Sequence, residues 1–95
     1  MGVNFSISQV NEIKYLDNKE NPYAILEYNL LSSKIEVTDN RSNTNKLTFI
    51  SKDSPEKMAD FWIGLVKSSL DKKLKDLDEV VDEMKREFKV KNSTQ

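Results

Sequence analysis

From Ser54 to Lys91 apolar residues recur at helical spacing, with no proline after Pro55, so one long amphipathic helix is expected across this stretch. Met58, Phe61, Trp62, Leu65 and Val66 form a first cluster; Leu70, Leu74, Leu77, Val81, Met84 and Phe88 continue it at alternating steps of four and three, a heptad stripe. Thirty-eight helical residues would span about 57 Å, whereas a six-residue strand spans about 20 Å. A helix of that length would outrun any sheet that the other residues could build. Its distal stripe, worth on the order of 10 kcal/mol when covered, then needs a second partner.

Three arrangements would cover it. Two chains pair as a short coiled coil, with Leu74, Val81 and Phe88 at a, Leu70, Leu77 and Met84 at d, and Lys73 at g facing Asp78 at e to set the register. Alternatively the chain bends near Ser68-Ser69 and the distal half folds back onto the sheet or the first helix. In the third, the stripe docks onto a different protein, as amphipathic helices do in grooves.

The preceding residues read as strands and turns. Val3, Phe5 and Ile7 alternate with polar residues, and Ile13 and Tyr15 do so again after Asn11. Asp17 to Pro22 is turn chemistry. Tyr23 to Leu31 is apolar on both sides, as in a central strand, with Ala24, Leu26, Tyr28 and Leu30 on one face. Ser32-Ser33 turns the chain into Lys34–Thr38. A polar loop from Asp39 to Asn45 then leads to Lys46–Ser51, with Leu47 and Phe49 toward the core. Ser54, Pro55 and Glu56 make a well-formed helix start, while Lys85, Arg86, Lys89 and Lys91 suit a helix end.

The fold expected is α+β: an antiparallel β-meander of about four strands followed by a long C-terminal amphipathic helix, with Ser68-Ser69 as the point of any break. Residues 1–95 read as one domain, with a sheet part over 1–53, a helical part over 54–91 and a frayed tail over 92–95.

Composition narrows the chemistry. The chain has neither cysteine nor histidine, which excludes disulfides, Cys/His zinc sites and imidazole triads. Fifteen basic and sixteen acidic residues give a net charge of −1, evenly divided along the chain, so no bulk attraction to nucleic acid or anionic lipid is expected. No apolar stretch approaches membrane-spanning length and no signal peptide is read, so a cytoplasmic protein is expected.

Asp76, Asp78, Glu79, Asp82 and Glu83 form an acidic cluster, but its position on the polar face of the helix reads as a solvated surface rather than a metal site or a catalytic pair. No cofactor, metal or enzymatic activity is expected. Tyr15, Tyr23 and Tyr28 offer the aromatic rings of an alternative reading, single-stranded nucleic-acid binding, although Tyr15 and Tyr28 fall on the core side of their strands.

The leading expectation is a small non-enzymatic interaction module that acts by homodimerisation, by binding a heterologous protein, or both. Its contact residues are Leu70, Leu74, Leu77, Val81, Met84 and Phe88, with Lys73 and Asp78. In size, in its Lys-, Asn- and Ile-rich usage and in its lack of catalytic residues, the chain also resembles small accessory proteins of phages and prophages. That resemblance implies the inhibition or regulation of a host protein.

Overall fold

The structure, a computed structural model, describes residues 10–41, 45–51 and 54–91. The expected Val3–Ser8 strand, the tip of the Asp39–Asn45 loop and the frayed tail lie outside the described residues.

Five strands form one antiparallel meander, in spatial order β1 (Glu12–Leu16), β2 (Pro22–Asn29), β3 (Lys34–Asp39), β4 (Asn45–Ile50) and β5 (Lys89–Lys91). Two helices, α1 (Pro55–Leu70) and α2 (Leu77–Glu87), lie between β4 and β5 in the chain. The class is therefore α+β, with two helices and a fifth strand in place of the one long helix.

Register aligns the core across the sheet. Ile13 stands opposite Leu26, which faces Val37, which faces Leu47; a second row runs from Tyr28 through Ile35 and Phe49 to Val90. These side chains and those of both helices form one core containing Met58, Trp62, Leu65, Val66, Leu77, Val80, Met84 and Phe88. The opposite face of the sheet is mostly charged and polar, carrying Lys14, Glu27, Glu36, Thr38, Lys46 and Lys91, with Ile25 and Ile50 half-buried among them.

The first hairpin closes as its sequence predicts. The Asp17 carboxylate accepts from the amides of Lys19 and Asn21 at 2.8 and 2.9 Å, and Glu20 takes a left-handed φ of 67°. The second hairpin turns earlier than expected. β2 ends at Asn29, whose Oδ1 accepts from Ser32 N at 3.1 Å, while Ser33 adopts φ 53°. Leu30 is thereby placed in the turn rather than on the core face of the strand.

α1 begins at Ser54, whose hydroxyl accepts from the Glu56 amide, with Pro55 in the first turn. It stops in a Schellman arrangement. Lys73 N donates to Ser68 O at 2.8 Å, Lys72 N donates to Ser69 O at 3.1 Å, and Lys72 sits at φ 59°. This stop corrects the expectation of a continuous helix. The chain does turn close to Ser68-Ser69, but a lysine takes the left-handed position where glycine is usual.

After the stop, α2 folds back against the sheet and buries Leu77, Val80 and Met84 at steps of three and four. Phe88 ends the helix in an extended conformation, is buried, and leads into β5. The helical part therefore ends at Glu87. Lys89–Lys91 pairs with Thr48–Ile50 as a strand, not as a helix terminus.

Candidate interaction surfaces

The expected contact stripe is divided by the fold. Leu77, Met84 and Phe88 are buried in the chain's own core, Leu74 and Val81 are half-buried against it, and Leu70 is 55% exposed. Phe61 meets Phe88 edge-on at 5.3 Å, so the first apolar cluster and the distal stripe pack against each other. Val80, absent from the stripe as read from sequence, is fully buried, while Val81 is half-buried. The reason is phase: the heptad counted through Leu70 and Leu74 is interrupted at Asp71–Asp76, and α2 starts its own rotation at Leu77.

The expected register pair is also corrected. Lys73 lies in the non-helical connection, its amide committed to the α1 stop. Asp78 accepts from Arg41 Nη2 of the same chain at 3.0 Å. Arg41 grips Asp39 as well, through Nη2 at 2.9 Å and Nε at 3.1 Å, and lies over the Tyr23 ring at 5.0 Å. One guanidinium thus ties the end of β3 to the first turn of α2. These bonds hold the Asp39 carboxyl below the usual carboxylate range, and Asp39 and Asp78 together push Arg41 up. Nothing in the sequence joins Arg41 to Asp78, since the partners lie 37 positions apart.

The tyrosines are engaged internally. Tyr28 stacks on Trp62 at 5.6 Å between centroids, and Trp62 Nε1 donates to Val10 O at 2.7 Å. Tyr15 is buried and packs 6.1 Å from Tyr23. Tyr28 Oη is the one buried side-chain polar atom without a partner among the described residues, and burial raises its pKa.

In the acidic cluster, Asp76, Asp78, Glu79 and Asp82 are exposed, while Glu83 accepts from Lys75 Nζ at 3.2 Å. Among the described residues no group of three carboxylates is placed to hold a metal ion, and no helix is long and apolar enough to cross a membrane.

Two other surfaces emerge. At the tip of the β2–β3 hairpin, Leu31 is 98% exposed and Leu30 67% exposed, on a turn fixed by the Asn29 side chain. Between the helices, Asp60, Phe61, Gly64, Leu65, Ser68, Leu74, Lys75 and Glu83 line a shallow groove of about 240 Å³. Sequence reading missed the hairpin tip because it placed Leu30 and Leu31 in a strand. Only Asn29, a residue whose side chain can close a turn on the backbone that follows, hints at the earlier turn.

No family model matches this chain, and comparisons with curated proteins and with solved structures gave no match.

Proposed function

We propose that this protein is a small non-enzymatic interaction module that binds another protein through the Leu30–Leu31 tip of its second hairpin. The observation that carries this reading is Leu31, 98% exposed beside a two-thirds exposed Leu30. Turn positions ordinarily carry Gly, Asn, Asp or Ser for conformational reasons. Two leucines serve no such purpose, and each forgoes roughly 1.5–3 kcal/mol of burial by staying wet. The Asn29–Ser32 hydrogen bond and the left-handed Ser33 hold the tip in one shape, which lowers the ordering cost of binding. Most of the α2 stripe is a weaker candidate surface, because Leu77, Met84 and Phe88 already have partners within the chain.

The test is parallel affinity capture from native-host extract, using the wild-type chain and a Leu30→Ser/Leu31→Ser variant. Both should unfold at similar denaturant concentrations, and the variant should lose a protein that the wild type retains. Identical captured proteins would refute the hairpin tip as the binding site.

A further inference from the structure

Lys57, Asp60, Gly64, Lys67 and Asp71 follow one another along α1 and its cap at steps of three and four, and all five are exposed. At 100° per residue they occupy one narrow stripe, on the side of α1 away from the buried Met58, Trp62, Leu65 and Val66. The sequence of signs along the stripe is plus, minus, glycine, plus, minus. Read from the other end it is minus, plus, glycine, minus, plus. Two copies laid antiparallel about Gly64 therefore set Lys57 against Asp71 and bring Asp60 to Lys67, twice over by symmetry.

Gly64 is the second observation. It sits in the interior of a helix, where glycine is unfavourable, and among the described residues a Cβ built there meets nothing within 4 Å. Packing among the described residues gives no reason for the missing side chain. Close approach of a second backbone does give one, and the apolar groove floor of Phe61, Leu65 and Leu74 opens beside it.

We infer that the outer face of α1 is a homodimer contact, two copies crossing antiparallel at Gly64 with charges paired on either side. The occupant is a second copy because the charge pattern is complementary to itself. This contact is independent of the hairpin tip.

Sedimentation equilibrium on the full chain tests it. The wild type should form a concentration-dependent species of two chains. Asp60→Lys gives a face with two cations at these positions and Lys67→Glu a face with two carboxylates, so each variant alone should associate at least about tenfold more weakly. An equal mixture of the two should regain wild-type association, because the cationic face then meets the acidic one. Gly64→Leu should abolish association while leaving the circular dichroism unchanged. The inference is overturned if the wild type stays a single chain throughout, if either charge variant associates like the wild type, or if the mixture fails to recover. Loss of the two-chain species leaves the capture result at Leu30–Leu31 untouched, so the two readings fail separately.

Discussion

Tyr15 donates its phenol hydrogen bond to the carbonyl oxygen of Lys75, 2.8 Å away and sixty positions further along the chain. The bond joins β1 to the connection between α1 and α2. It fixes where the second helix begins. Burial first, then the neighbouring Tyr23 and Asp76, push the Tyr15 hydroxyl well above the ordinary phenol range.

The raised value sets an alkaline limit. Stability linked to neutral Tyr15 is fully present below the unfolded pKa of about 10 and is lost as pH rises toward the folded value. Urea midpoints should fall above about pH 10. Tyr15→Phe should cost about 1 kcal/mol at neutral pH and flatten that alkaline decline. An unchanged alkaline decline in the variant would assign the effect to another group.

The turn at Lys72 stores backbone strain that glycine would relieve. With φ at 59°, Lys72→Gly should raise stability by roughly 0.5–1 kcal/mol, measured by chemical denaturation. A loss of stability would mean that the Lys72 side chain contributes more than its conformation costs.

Burial, not place in the expected stripe, decides the cost of truncation. Met84→Ala empties a fully buried site and should cost about 2–5 kcal/mol, whereas Leu70→Ala, at a 55% exposed position, should stay within about 0.5 kcal/mol. Equal costs at the two positions would restore the continuous stripe as a single surface.

Much of the fold was legible before any coordinates. Period-two alternation places Ile13, Tyr15, Leu26, Ile35, Val37 and Phe49 on the core side of their strands, and all are buried. The capped start of α1 is equally plain from Ser54-Pro55-Glu56. The α1 stop was not plain, because Lys72 carries no sign of a left-handed residue. The stop frees α2 to take its own rotation, which keeps Leu77, Met84 and Phe88 inward but buries Val80 more fully than Val81. β5 was hidden for another reason. Lys89-Val90-Lys91 offers one apolar residue between two cations, which reads equally well as a helix end, and only pairing with β4 decides it. Of the stripe offered as an interaction site, Leu70 alone is more than half exposed, and the candidate surfaces lie on Leu30–Leu31 and around Gly64.

The tie between β3 and α2 should titrate at acid pH. Asp39 is held below the usual carboxylate range chiefly by its side-chain hydrogen bond with Arg41, so the stability it contributes is present above the unfolded pKa and is lost as pH falls through the lower folded value. Carboxyl-carbon NMR should show Asp39 titrating upward toward the ordinary range in Arg41→Gln. No upward shift would show that Arg41 does not hold it.

Some leucines hold the chain together and others face outward. Urea unfolding of Leu77→Asp and Leu31→Asp, run side by side, tests this most directly. Leu77 is buried and Leu31 is almost wholly exposed. Leu77→Asp should lose more than about 3 kcal/mol or fail to fold, and Leu31→Asp should match the wild type within about 0.5 kcal/mol. A stable Leu77→Asp chain, or a Leu31→Asp chain that unfolds, would contradict it.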